Sequence, residues 1–200
     1  MSHVIAIAGK GGVGKTTLSG MLIQRMCQMG KSPILALNEH DDFDLLVMGR
    51  TQGKGCYCYV NGLLQAQMQK LLPGYKYMVV DNEAGMEHIS RGILPKVDTL
   101  ILVSDCSRRG VQAAGRIAEL AKDCNLNPKT MGLIVNRAPG GKLNSGTMEE
   151  IEKQGLTLLG VVPHDDQVYE YDCEGKPTVE LPDSSPVRVA LDEIINRLDL

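Results

Sequence analysis

An apolar run, Val4 to Ala8, leads directly into Gly9-Lys10-Gly11-Gly12-Val13-Gly14-Lys15-Thr16, after which Leu18, Met21, Leu22 and Met26 recur at helical spacing. No other stretch restricts the fold so tightly. A strand, a glycine-rich turn and a helix in that order aim the backbone N–H groups of Gly11 to Thr16 at one point, with the positive end of the helix dipole behind them. Phosphate oxygens suit that point. Lys15 is placed to neutralise β and γ phosphates, and the Thr16 hydroxyl to ligate Mg²⁺. The candidate ATP-binding set is Gly11, Gly12, Val13, Gly14, Lys15, Thr16 and Thr17, with ATP and Mg²⁺ as cofactors. A glycine-rich turn without a ligand is the alternative.

Elsewhere, short β-branched runs alternate with longer stretches of helical period, which predicts parallel strands joined by crossover helices. Strands are expected near Val4–Ala8, Pro33–Asn38, Tyr77–Asp81, Thr99–Ser104, Met131–Asn136 and Leu158–Val162. Nearly all are continuous apolar runs, as suits strands covered on both faces; a one-sided sheet would alternate apolar and polar residues. The first helix should span Lys15 to Met29 and stop at Gly30, and another should cover Gly110 to Cys124. The last should start at Ser185-Pro186, an N-cap and a first-turn proline, and bury Val189, Leu191, Ile194, Ile195 and Leu198. Glu39 to Gly55 reads as irregular. The expected class is α/β: a mostly parallel central sheet flanked by helices on both faces, as a single P-loop domain over residues 1–200.

With 43% hydrophobic residues, the chain can bury a core without disulfides, and a net charge of −3 gives no basic field for nucleic acid. No apolar run approaches the roughly 18 residues of a membrane span, and Val4–Ala8 is too short for a signal peptide, so a cytoplasmic protein is expected. Thiols there stay reduced. Cys27, Cys106, Cys124 and Cys173 are read as small core hydrophobes. Cys56 and Cys58, spaced Cys-x-Cys in a polar, Gly-rich setting, are read as ligands.

Tyr77-Met78-Val79-Val80-Asp81 is an apolar strand ending in a carboxylate, and Mg²⁺ opposite a phosphate loop needs such a partner, so Asp81 is the candidate. Lys10 is not needed to cradle its own chain's phosphates. Through Gly9-Lys10-Gly11-Gly12-Val13-Gly14-Lys15-Thr16-Thr17 the sequence resembles the deviant Walker A family, which includes the nitrogenase iron protein and the MinD and ParA ATPases. That resemblance implies that Lys10 reaches across a homodimer to the partner's ATP, joining Lys15 in catalysis. It implies that Asn82 to His88 form a second switch pivoting at Gly85, that Asn136 reads adenine, and that Pro163-His164-Asp165 wall the base pocket. A strand-end cap is the other reading of Asn136. Where the family carries Asp-x-Asp at its first switch, this chain has Asn38-Glu39-His40. Asp41, or Asp42 beside it, is the candidate for orienting the attacking water, His40 is read as a surface residue, and hydrolysis is expected to be slow.

Two thiolates at Cys56 and Cys58 leave a tetrahedral site half empty, and a symmetric dimer completes it as Cys₄ for Zn²⁺ or Ni²⁺. A redox pair and inert thiols are the alternatives. The phosphate loop, Gly55-Cys56-Tyr57-Cys58 and the stretch Val80 to Gly92 together resemble the CooC family of homodimeric ATPases that help load nickel into carbon monoxide dehydrogenase. The resemblance implies a homodimer formed on nucleotide or metal, opened and closed by ATP hydrolysis, with a nickel enzyme as client and neither nucleic acid nor membrane as partner. The family carries a longer segment between Asp42 and Phe43. The other readings are a MinD- or ParA-like positioning ATPase and an iron-sulfur electron-transfer ATPase.

Overall fold

The computed structural model describes residues 2–32, 34–36, 44–45, 58–82, 96–198 and 200. In chain order its elements are β1 His3–Gly9, α1 Lys15–Gln28, β2 Ile34–Ala36, β3 Asp44–Leu45, α2 Cys58–Leu71, β4 Tyr77–Asp81, β5 Thr99–Asp105 and α3 Arg108–Asp123. There follow β6 Thr130–Ala138, α4 Ser145–Lys153, β7 Leu158–Pro163, α5 Asp166–Glu174 and α6 Pro186–Arg197.

Apolar residues at successive positions of β1 leave that strand no face for water. Val4, Ala6 and Ala8 belong to one buried cluster, and Ile5 and Ile7 to another. The first cluster is closed by Val111, Ala114, Ile117, Ala118 and Ala121 of α3, with Met68 of α2 and Ile151 of α4. The second is closed by Leu18, Met21, Leu22, Ile23 and Met26 of α1 and by Val187, Leu191, Ile194 and Ile195 of α6. Helices thus cover both faces of one sheet, ordered β3-β2-β4-β1-β5-β6-β7, in which every pairing is parallel. All strands therefore end on the same rim, and β1 lies where the chain changes direction across the sheet, with β4 on one side and β5 on the other. The α/β class with a parallel, two-sided sheet is as expected.

Several details differ from the sequence expectation. β3 forms inside the stretch read as irregular, pairing Leu35 with Asp44 and Ala36 with Leu45. β6 runs to Ala138, with register shifts against β7 that accommodate extra residues. On α6, Val189 is 47% exposed, because it sits two positions, about 200° of helical turn, from Val187 on the buried stripe. Arg188 is buried instead, donating to the Leu181 carbonyl and, at 3.0 Å, to Gln28 Oε1. Ser185 does not cap α6 with its side chain; its hydroxyl donates to Asp165 Oδ2 at 2.9 Å. Cys27 and Cys106 are half-buried against the core, but Cys124 and Cys173 are exposed. Cys124 occupies the C-terminal cap of α3, and Cys173 lies on α5, which buries no residue. Among the described residues, no helix is long and apolar enough to cross a membrane.

Candidate nucleotide-binding site

The glycine-rich loop leaves the end of β1 under tight steric control. A Cβ on Gly9 would stand 2.3 Å from the Val103 carbonyl oxygen, so β1 and β5 approach this closely only with glycine there. Gly12 and Gly14 take φ of 79° and 84°, in the left-handed region that side chains disfavour. Helix α1 starts immediately after Gly14, with no side-chain cap and no acidic residue in its first turn. Helices α3, α4 and α5, by contrast, are capped by Ser107, Asn144 and Asp165. The unsatisfied N–H groups of α1 and its dipole make an anion site at the rim.

Lys15 is 7% exposed, and its ammonium donates to the Lys10 carbonyl oxygen at 3.1 Å. Burial pushes its pKa below the ordinary lysine value, partly opposed by the negative charge of Asp81. An incoming phosphate would supply the counter-charge this lysine favours. The Thr16 hydroxyl donates to Asp81 Oδ2 at 2.5 Å, joining the first turn of α1 to the end of β4. A hydroxyl and a carboxylate oxygen so close together form the hard donor set that Mg²⁺ selects, and the residues fit the ion expected there. Asn82, next in the chain, donates through Nδ2 to the Ile7 carbonyl at 3.0 Å and ties β4 to β1 beneath the loop. Lys10 is exposed at the loop's outer edge.

From the other side, β6 grips the loop. Asn136 is 6% exposed, and its Nδ2 donates to the Val13 carbonyl at 2.9 Å, while its Oδ1 accepts the Arg137 N–H at 2.9 Å. Arg137 sits in the strand irregularity with a φ of 57°, and its guanidinium donates to the Gly12 carbonyl at 3.3 Å. Beside this grip lies a cavity of about 330 Å³, within the size range of small-molecule sites. Gly14, Thr17 and Asn136 form its loop side, and Pro163, His164 and Asp165 a second wall. The structure thus brings Gly11 to Thr17, Asp81, Asn136 and Pro163 to one rim. Sequence reasoning missed Arg137, since a left-handed backbone in a bulge has no sequence signature when the residue is not glycine. It also missed Tyr169 and Val168 of α5 on the cavity's third side.

Asp41 and Cys56 lie outside the described residues, as do the Cys58 side chain and the switch residues from Glu83 to His88. Among the described residues, no group of three or more His, Cys, Asp or Glu side chains is placed to hold a metal ion.

Comparison with known proteins places this geometry in context. An uncharacterised ATP-binding protein of Methanocaldococcus jannaschii is 29% identical over 250 aligned positions, covering 98% of both chains. The carbon monoxide dehydrogenase accessory protein CooC of Rhodospirillum rubrum is 32% identical over 72% of this chain, which spans 54% of that protein. Among solved structures, the septum site-determining protein MinD of Pyrococcus horikoshii, complexed with Mg-ADP, superposes with a TM-score of 0.75 at 18% identity over 100% of this chain and 96% of its own. The model of the CobQ/CobB/MinD/ParA nucleotide binding domain matches residues 60–179, a span that begins after the phosphate loop and so adds to it independently. The chain belongs to this family of nucleotide-binding domains.

Proposed function

We propose that this protein is an ATPase that binds MgATP at the rim of β1, pairs with a second copy on nucleotide, and delivers a thiolate-bound metal to a nickel enzyme. The observation that carries the nucleotide reading is the uncapped start of α1 with Lys15 buried beside it. The N–H groups of the loop and Lys15 bind the β and γ phosphates. Thr16 and Asp81 hold Mg²⁺, which when bound neutralises charge on those phosphates. Asn136 and Pro163 flank the base. Lys10, exposed at the loop edge, reaches the ATP of a partner subunit, and Asp41 orients the water that attacks the γ-phosphorus and releases ADP and phosphate. Closure of the dimer sets Cys56 and Cys58 beside their symmetry mates around one Zn²⁺ or Ni²⁺ ion, and hydrolysis opens it for transfer. The 32% identity with a carbon monoxide dehydrogenase accessory protein supports this kind of client.

Light scattering with and without MgATP, combined with metal analysis, tests both halves. The expected outcome is a nucleotide-dependent dimer, lost in Lys10→Ala, that carries about one ion. The metal should fall away in Cys56→Ala, and an unchanged stoichiometry would remove the shared site. The likeness in fold to MinD along the whole chain favours a second reading, a positioning ATPase. Co-sedimentation with lipid vesicles or DNA on MgATP addition would support that reading over the metallochaperone.

A further inference from the structure

We propose that Tyr169 lies over the base of the bound nucleotide, and that the Ser185–Asp165 hydrogen bond holds in place the helix that carries it. This rests on the nucleotide reading above and adds a base contact and its support.

Helix α5 buries none of its residues, yet Val168, Tyr169 and Asp172 line the cavity beside the phosphate loop. Tyr169 is 66% exposed, and among the described residues no side chain hydrogen-bonds to it or stacks on its ring. A large aromatic side chain left bare at the mouth of a cavity loses water from its face when a flat ligand slides beneath it. Two polar side chains nearby, Asn136 and Asp165, are already engaged within the protein. Asn136 has its amide nitrogen on Val13 and its amide oxygen on Arg137. Asp165 accepts from the Gln167 N–H at 3.0 Å through Oδ1 and from the Ser185 hydroxyl at 2.9 Å through Oδ2. The rest of the lining is mixed: Leu18, Met21, Pro163, Val168 and Tyr169 are apolar, and Arg137 and Asp172 are charged. Stacking on Tyr169 therefore adds to base affinity here.

Val168 and Tyr171 rest half-buried against the core, and the start of α5 has a further anchor. Asp165 is the N-cap of α5, and its second oxygen is latched by Ser185, the residue before Pro186 at the start of α6. Because α6 packs firmly into the core, the latch passes its rigidity to the start of α5. Ser185 is thus a positioning residue, and Tyr169 the contact it positions.

Calorimetric titration with MgATP and with magnesium tripolyphosphate, which has the phosphates and no base, tests the proposal in wild type, Tyr169→Ala, Tyr169→Phe and Ser185→Ala. Tyr169→Ala should weaken MgATP binding about threefold to tenfold. Tyr169→Phe should bind like wild type, and Ser185→Ala should shift in the same direction as Tyr169→Ala. Tripolyphosphate should bind all four proteins equally. Wild-type affinity for MgATP in Tyr169→Ala would overturn the inference alone, as would equal weakening of both ligands. A wild-type protein that takes up neither ligand would remove the nucleotide reading itself.

Discussion

Asn136 commits both ends of its amide to main chain, one to the phosphate loop and one to its own strand. Replacing it with alanine leaves the buried Val13 carbonyl without this donor, a loss worth about 1–3 kcal/mol for an unsatisfied buried group. Asn136→Ala should therefore lower unfolding stability by that order in urea titrations and weaken MgATP binding with it. Lys15 sets a pH dependence. Its pKa lies below the ordinary lysine value in the free protein because of burial, and bound phosphate should raise it. Affinity for MgATP should be full below the free-protein value and fall as pH climbs from there towards the value in the complex. Titrations between pH 7 and alkaline pH would show an earlier decline than an ordinary lysine produces, and a flat profile would contradict it. At this scale the loop was legible because glycine and lysine spacing is itself the chemistry. The grip on that loop was not, since neither the hydrogen-bond partner of Asn136 nor the left-handed φ of Arg137 is written in local spacing.

Helices and strands were legible where periodicity is strong, as in β1, β4, α1 and α6. The buried stripe of α6 was misread at Val189, where hydrophobicity outweighed phase, and it left out Arg188, whose aliphatic stem and bonds to Leu181 and Gln28 make it a core residue. The exposure of Cys173 had a related cause: α5 rests on the core only through half-buried Val168 and Tyr171, and its remaining residues face a cavity or solvent. Contact between β7 and α6 is close enough to be tested. A Cβ on Gly160 would stand 2.4 Å from Ile194 Cγ1. Gly160→Ala should force a repacking that costs about 1–3 kcal/mol, read as a lowered melting temperature, and the added Ile194→Val should recover part of it.

At the scale of the whole molecule, two apolar faces and parallel pairing follow from continuous apolar runs, so the architecture was readable from the sequence. The strand order was not readable, and it is the structure that places β1 at the change of direction on the rim where every strand ends. What sequence does not display is that this rim is assembled across long separations. Val13 and Asn136 are 123 positions apart, and Thr16 and Asp81 are 65 apart. A search that recognises only the eight letters from Gly9 to Thr16 would pass a variant altered at residue 136 as intact. Such a variant would keep the signature of a nucleotide binder while losing one of the ties that give the signature its shape.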